Sequence, residues 1–251
     1  MMASLDSGQC EAFARDGYLM VPGMLDTEAV TALDRWTDEL VAMPETPGRH
    51  MVYYEDHVDG GGARVMSRIE NFCPYHEGFD RLLRGPTVLD GVELLLGEQA
   101  LLFKDKINFK LPGGGGFEAH QDVQAGWDDY AGLHLTMLIG IDRATSDNGC
   151  LEIAAGRHRE GLLGERWNPL AEDGGIDYRS IPTEPGDVLF FDSFVPHRSG
   201  PNQTSVPRRV LYVTYNGVSA GDYRERYYAD KRASYPPDCE REPGQDYSFR
   251  V

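Results

Sequence analysis

Pro112-Gly113-Gly114-Gly115-Gly116-Phe117-Glu118-Ala119-His120-Gln121-Asp122 is the stretch that decides the interpretation of this chain. In an extended strand the side chains at i and i+2 project from the same face, so His120 and Asp122 are placed to hold one metal ion. His197, which follows the strand-like run Val188-Leu189-Phe190-Phe191, is the candidate third ligand. Two imidazoles and one carboxylate on one side of a metal form the facial triad of non-haem Fe(II) oxygenases. The pattern therefore predicts an iron site with open coordination positions.

The sequence around these residues predicts a β-rich domain. From Ala100 onward, short strand-like runs alternate with turn residues, which is typical of a jelly roll or a related barrel. We predict a mainly β fold with flanking helices, built on a double-stranded β-helix (jelly roll, cupin-like). The predicted strands are Leu101–Lys110, Phe117–Val123, Leu133–Ile141, Cys150–Ala154, Val188–Asp192 and Arg208–Asn216.

The segment before the barrel carries helical signals. Gly17 and Gly97 are suited to the left-handed residue that ends a helix, and Asp26 is suited to an N-cap. Helices are predicted over Asp6–Leu19, from Asp26 to about Met43, and over Pro86–Leu96. We expect one domain over residues 1–251, with a mainly helical flank at 1–99, a barrel core at 100–217 and a C-terminal wrap at 218–251.

Composition excludes several classes of partner. The chain has 24 Lys+Arg against 41 Asp+Glu, a net charge of −17 that argues against nucleic acid or an anionic membrane. The four cysteines show no close pairing, and no apolar run reaches the roughly 18 residues that span a bilayer. We predict a cytoplasmic protein whose partner is a small-molecule substrate, and the oligomeric state stays open.

The predicted strand Leu101–Lys110 has two different faces. One face carries Leu101, Phe103, Asp105, Ile107 and Phe109, and the other carries Leu102, Lys104, Lys106, Asn108 and Lys110. The cationic face either meets solvent, as in a half-exposed antiparallel sheet, or lines the barrel mouth. In the second case it would attract an anionic ligand toward the metal.

A candidate anion anchor follows the third metal ligand. Arg208 begins a strand 11 residues past His197, and its planar guanidinium matches a carboxylate with two parallel hydrogen bonds. Ser199 is placed to add a hydroxyl to the same carboxylate. Among the remaining histidines, His134 is the only one whose strand position makes it a competing metal ligand.

Taken together, the motifs resemble those of the phytanoyl-CoA dioxygenase (PhyH) superfamily of Fe(II)/2-oxoglutarate oxygenases. The resemblance runs from about Asp16 to Pro236-Pro237, and the pattern is similar to that of ectoine hydroxylase and 2-aminoethylphosphonate dioxygenase. It rests on Phe103-Lys104-Asp105-Lys106-Ile107-Asn108, the run from Pro112 to Asp122, Asn148-Gly149-Cys150-Leu151-Glu152, Pro185-Gly186-Asp187, and His197-x-Ser199-Gly200 followed by Arg208.

The resemblance implies a ligand set and a reaction. It implies that Fe(II) is held by His120, Asp122 and His197, and that 2-oxoglutarate and O2 are consumed to give succinate and CO2. It further implies that Arg208 and Ser199 hold the distal carboxylate of 2-oxoglutarate, with Asn108 near the proximal carboxylate and Phe117 against the cosubstrate. Since Asp122 supplies a carboxylate where related halogenases have a small residue, hydroxylation is expected.

The substrate is the least constrained part of the prediction. Where ectoine hydroxylase presents a neutral glutamine to its substrate, this chain has Lys104, which favours an anionic group near the reacting carbon. Lys104, Trp127 and Asn71 are the predicted substrate contacts. We expect hydroxylation of a small polar, anionic or zwitterionic metabolite, such as an aminophosphonate or an amino-acid derivative. The alternatives are an acyl-CoA or secondary-metabolite substrate, a non-oxidative metal-dependent enzyme on the same barrel, and a non-catalytic sensor.

Overall fold

Two antiparallel sheets form the centre of the structure, a computed structural model that describes residues 5–58, 60, 62–171 and 175–247. Within these residues the larger sheet has seven strands in the order β1-β9-β6-β11-β4-β3-β2, and the smaller has four in the order β5-β10-β7-β8. The strands are β1 (Tyr18–Val21), β2 (Met51–Asp56), β3 (Arg64–Glu70), β4 (Ala100–Lys110), β5 (Phe117–His120), β6 (Leu135–Gly140), β7 (Leu151–Ile153), β8 (Arg179–Ile181), β9 (Val188–Asp192), β10 (His197–Ser199) and β11 (Arg208–Gly217). The predicted jelly roll with flanking helices is confirmed.

The helices begin and end where capping residues allow. The Asp26 side chain accepts a hydrogen bond from the Ala29 backbone N–H at 3.0 Å, and Gly97 ends its helix with φ 76°. The helices are α1 (Ser7–Asp16), α2 (Thr27–Ala42), α3 (Glu77–Leu83), α4 (Pro86–Leu96) and α5 (Arg224–Ser234). The three predicted helices are confirmed, whereas α3 and α5 were not predicted. None of the helices in the described residues is both long and apolar enough to cross a bilayer.

The described residues form three apolar clusters, and two of them hold the sheets in place. The larger one packs α2, α3 and α4 against the outer face of the seven-stranded sheet, for example through Leu33, Phe79 and Val88. The smaller one fills the space between the sheets with residues such as Leu138, Ile153 and Tyr212. Burial of these side chains stabilises the fold by about 1.5–3 kcal/mol each, and it fixes which face of each strand points between the sheets.

Candidate metal centre and substrate cavity

Two histidines meet across adjacent strands of the smaller sheet. His120 at the end of β5 is the Cα partner of His197 at the start of β10, and their ring centroids lie 4.3 Å apart. Asp122 joins them, so that one ligand atom from each of the three residues lies within 4.8 Å of the other two. The structure therefore brings together the three residues that the sequence proposes as metal ligands.

The local backbone differs from the predicted strand Phe117–Val123. Strand β5 stops at His120, and Asp122 begins a 3-10 turn over Asp122–Ala125. The turn is stabilised by the Gln121 backbone N–H, which donates to Gln124 Oε1 at 2.8 Å. The expectation that His120 and Asp122 share one strand is wrong, because it is this turn that directs the carboxylate toward the histidines.

Neighbouring groups orient the three side chains. The Nδ1 atoms of His120 and His197 lie 2.7 and 3.0 Å from the carbonyl oxygens of Glu118 and Val195. A proton on each Nδ1 satisfies these contacts and leaves Nε2 as the metal donor. The Thr136 hydroxyl donates to Asp122 Oδ2 at 3.2 Å.

Burial supports the same assignment of protonation states. Burial, together with the charge that His197 would carry, lowers the pKa of His120 to about 3. Burial also lowers the pKa of His197. Both rings are therefore neutral near pH 7, as metal binding requires. Neutral imidazoles with oriented lone pairs and one hydrogen-bonded carboxylate fit a divalent iron ion.

A cavity of about 750 Å³ opens beside this centre. His120 and Asp122 line it together with Lys104 and Lys106 from β4. The cationic face of β4 therefore lies inside the fold, as the second interpretation of its alternation proposed. Because the outward-facing Asp105 is also fully buried, both faces of β4 are covered. His134 lies outside the three-residue metal group and packs against Phe103, with ring centroids 4.4 Å apart.

Arg208 lies in a second polar region, where β4 and β11 pair. It is 2% exposed, it faces Lys110 as its Cα partner, and its Nε has no hydrogen-bond partner among the described residues. Lys110 Nζ donates to Ser199 Oγ at 2.8 Å and to the carbonyl oxygens of Gly149 and Gly200. Two buried cations beside a hydroxyl, without an ion-pair partner in the described residues, form a site that a carboxylate would complete.

The two other predicted cosubstrate contacts, Asn108 and Phe117, also lie in the interior. Asn108 is 4% exposed, and its side-chain oxygen has no hydrogen-bond partner in the described part of the chain. Phe117 lines the cavity, with its ring centroid 5.6 Å from Lys110 Nζ. Strict alternation would place Phe117 opposite to His120. The register between β5 and β10 shifts at this point, and such a bulge redirects side chains.

The predicted substrate contacts divide into two groups. Lys104 and Trp127 line the cavity, and Lys104 Nζ lies 5.3 Å from the centroid of the Trp127 ring. Asn71 does not line it. Instead, its side-chain oxygen accepts a hydrogen bond from Arg224 Nη2 at 2.9 Å, and Arg224 forms a 2.5 Å ion pair with buried Asp105. Asn71 therefore helps to attach α5 to the barrel.

Sequence reasoning did not assign a role in the site to several charged residues in and around the cavity, among them Lys106, Lys110, Glu70 and Lys231. Lys106 and Lys110 stand on the face already recognised as cationic, and the i+2 alternation that singled out Lys104 could have included them. Glu70 lies 34 residues before Lys104 and Lys231 lies 121 residues after Lys110, so no local pattern connected them to this strand. We call Lys104, Lys106 and Lys231, which all line the cavity, the lysine cluster.

A jelly roll that holds two imidazoles and one carboxylate beside an anion-binding interior defines an Fe(II)- and 2-oxoglutarate-dependent dioxygenase. The sequence model of the phytanoyl-CoA dioxygenase (PhyH) family matches residues 13–210. The chain belongs to this family.

Relatives and solved structures agree with this assignment. The chain is 40% identical over 238 residues to a 2-aminoethylphosphonate dioxygenase from an uncultured bacterium, covering 93% of this chain and 90% of the relative. It is 39% identical over 238 residues to a methylphosphonate hydroxylase from Gimesia maris, covering 94% and 90%. The crystal structure of EctD from S. alaskensis with 2-oxoglutarate and 5-hydroxyectoine has a TM-score of 0.74 at 24% identity and covers 87% of this chain and 78% of that one. At that identity the likeness shows the fold alone.

Proposed function

We propose that this dioxygenase hydroxylates a C–H bond in a small anionic or zwitterionic metabolite, with phosphonates such as 2-aminoethylphosphonate as the leading class. His120, Asp122 and His197 hold the iron in this proposal. When bound, Fe(II) couples the reduction of O2 to the decarboxylation of 2-oxoglutarate, so that succinate, CO2 and a hydroxylated product are formed. The names of the two relatives at about 40% identity support the phosphonate class.

The chain's own residues would orient the cosubstrate. Arg208 and Lys110 supply two positive charges at one end of the interior, and Ser199 supplies a hydroxyl there. A dicarboxylate that spans from the metal to these groups is fixed at both ends, which limits its approach to one geometry. In this proposal Asn108 lies near the proximal carboxylate of the cosubstrate, and Phe117 packs against it.

The positive charge beside the metal centre is the observation that carries the substrate proposal. Lys106 forms no ion pair in the described residues, and its Nζ lies 4.9 Å from the centroid of the Tyr212 ring. Burial lowers the pKa of Lys106 to about 8, and the neighbouring Lys104 contributes. The charge of Asp122 raises the pKa of Lys106, but Asp122 is assigned to the iron in this proposal, so an anionic substrate is the counterion that this partly exposed ammonium lacks. The lysines of the cavity lie near the metal triad, whereas the other acidic residues that line it, such as Asp129 and Asp230, are exposed.

Two further assignments accompany this proposal. We assign the protein to the cytoplasm, because all four cysteines are free thiols. We assign it a small-molecule partner and no nucleic acid, because the chain as a whole is strongly acidic and the lysine cluster is enclosed in the cavity.

Succinate release tests the proposal directly. Purified protein with Fe(II), 2-oxoglutarate and O2 is incubated with 2-aminoethylphosphonate, methylphosphonate, amino acids or betaines, and succinate and hydroxylated product are measured. We expect substrate-dependent succinate with a phosphonate. We expect its loss in His120→Ala, since two of three ligands hold iron poorly. Succinate at the substrate-free background with every compound would refute the proposed function.

A further inference from the structure

Helix α5 contributes a lysine to the cavity from a distant part of the sequence. Lys231 lines the cavity together with Lys104 and Lys106, and its side chain is 11% exposed. It lies 125 residues after Lys106 in the sequence, whereas Lys104 and Lys106 are neighbours on β4. The docking of α5 therefore builds one side of the cavity.

Two buried carboxylates lie near these cations, Asp122 of the proposed metal triad and Glu70. Glu70 is completely buried at the end of β3, and its Oε2 lies 2.5 Å from Lys231 Nζ and 3.9 Å from Lys104 Nζ. Arg68 Nε lies 3.4 Å from Glu70 Oε1. The surrounding cations hold the pKa of Glu70 well below its usual range against the effect of burial, so this group is ionised.

The lysine cluster carries more positive charge than Glu70 can neutralise. Three ammonium groups lie around the Glu70 carboxylate, and Asp122, the other buried carboxylate of this cavity, is assigned to the iron, which leaves an excess of two positive charges without counting Arg68. Burial lowers the pKa of Lys231, but the ionised Glu70 carboxylate 2.5 Å away raises it again, and this contact is that of an ammonium ion pair. A pair that served only to dock α5 would need one lysine, because one ammonium balances one carboxylate. The additional charge fits a ligand with two negative charges.

Phosphonates and carboxylates differ in this respect. A phosphoryl group carries about −1.5 to −2 charges at pH 7 and three acceptor oxygens, whereas a carboxylate carries one negative charge and two oxygens. Three separate ammonium donors match three acceptor oxygens, and an excess of two charges matches a dianion. A singly charged headgroup would leave part of the excess buried and uncompensated.

On the basis of the proposed function, we propose that Lys231 is a specificity residue, which completes with Lys104 and Lys106 a subsite for a doubly charged tetrahedral headgroup. Without Lys231, the subsite retains enough charge for a singly charged headgroup and loses its preference for a dianion. Lys231 acts on substrate binding, and the metal and 2-oxoglutarate sites do not depend on it.

Three substrates that share an aminoethyl group separate charge from shape. They are 2-aminoethylphosphonate, the singly charged tetrahedral 2-aminoethanesulfonate, and the singly charged planar 3-aminopropanoate. Binding of each to the protein loaded with Mn(II) and 2-oxoglutarate is measured by calorimetry, which does not require turnover, and kcat/KM is measured with Fe(II). The variants are Lys231→Met, Lys231→Gln, Lys231→Arg, and Arg226→Met as a control on an exposed position of the same helix.

We expect wild-type protein to bind the phosphonate most tightly. In Lys231→Met and Lys231→Gln, phosphonate affinity and kcat/KM should fall about 10- to 100-fold, the size of one lost charge-assisted contact, while the values for the sulfonate change less than about threefold. Lys231→Arg should keep the preference, and Arg226→Met should resemble the wild type. Gln at 231 keeps a hydrogen-bonding group near Glu70, so it provides a second neutral variant if Met lowers the folded fraction.

Several outcomes would overturn the inference. Equal losses for all three ligands would mean that Lys231 only docks α5, and unchanged phosphonate binding in both neutral variants would mean that it does not contact the headgroup. A wild-type protein that binds the sulfonate as tightly as the phosphonate would also refute it. If phosphonate binds with the expected preference but no succinate is released, the proposed function fails and the binding subsite stands.

Discussion

Replacing Lys110 by methionine should change two properties of the protein in opposite directions. Lys110 is 2% exposed and lies beside Arg208, and no ion pair neutralises it among residues 5–58, 60, 62–171 and 175–247. Burial, aided by Arg208, lowers the pKa of Lys110 from 10.5 to about 7. Lys110→Met removes a buried charge that destabilises the ligand-free protein and, at the same time, one of the two cations available to 2-oxoglutarate.

The magnitudes follow from this pKa. A decrease from 10.5 to about 7 corresponds to roughly 5 kcal/mol of destabilisation of the charged form. Because the pKa is lower in the folded protein than in the unfolded chain, this penalty is fully present below about pH 7 and fades as pH rises toward 10.5. Against it stand the lost contacts to Ser199, Gly149 and Gly200, at about 1 kcal/mol each. Near pH 6.5 the ligand-free variant should be at least as stable as the wild type.

The second property that should change is the affinity for 2-oxoglutarate. Loss of a charge-assisted hydrogen bond of about 1.5–3 kcal/mol should weaken 2-oxoglutarate binding by about 10- to 150-fold. In the wild type, affinity should decrease as pH rises above about 7, and Lys110→Met should flatten this dependence. Calorimetry with Mn(II) measures affinity, and thermal unfolding with and without 2-oxoglutarate measures stability. A variant that binds 2-oxoglutarate normally, or whose ligand-free form is several kcal/mol less stable, would refute the reasoning.

Two other perturbations test the framework around the site. Gly116→Ala should weaken metal binding at least about tenfold, because its Cβ would lie 2.6 Å from the carbonyl oxygen of Ser199 and displace β5 from β10. Metal affinity is measured by titration, with Gly115→Ala as the control, since a Cβ at that position meets only ordinary contacts. Equal metal affinity in the two variants would contradict this prediction. Arg224→Met should lower the free energy of unfolding by about 3–5 kcal/mol in urea, because it leaves the Asp105 carboxylate buried without its ion pair. Adding Asp105→Asn should recover part of that loss, and a fully additive double variant would show that the pair is not coupled.

Local patterns predicted the parts of this protein that depend on neighbouring residues. Gly17, Asp26 and Gly97 end or begin helices as expected, because capping is decided within one turn of chain. The metal ligands were identified for a different reason. His120 and His197 come from separate strands, and the sequence indicated that they lie close together because two histidines and an aspartate are the residue types of a facial triad.

Other features depend on contacts that no local pattern contains. Alternation along β4 separated its two faces but did not establish which one points inward, because both are buried. Helix α5 lacks an apolar stripe, and it is attached through charged groups such as Arg224 and through tyrosines such as Tyr228. Its role as one side of the cavity follows only from the tertiary structure. The contact of Asn71 with Arg224 also depends on the tertiary structure, because the two residues lie 153 positions apart in the sequence. The sequence therefore showed no sign that Asn71 binds α5, and the predicted substrate contact is wrong for this reason.

The residues of the proposed site are synthesised in the order of the sequence. The proposed iron ligands have all been synthesised by His197 and the cosubstrate anchor by Arg208, whereas the headgroup subsite waits for Lys231 on α5. A nascent or C-terminally clipped chain would therefore lack the last cation of the cavity even after its barrel strands are complete.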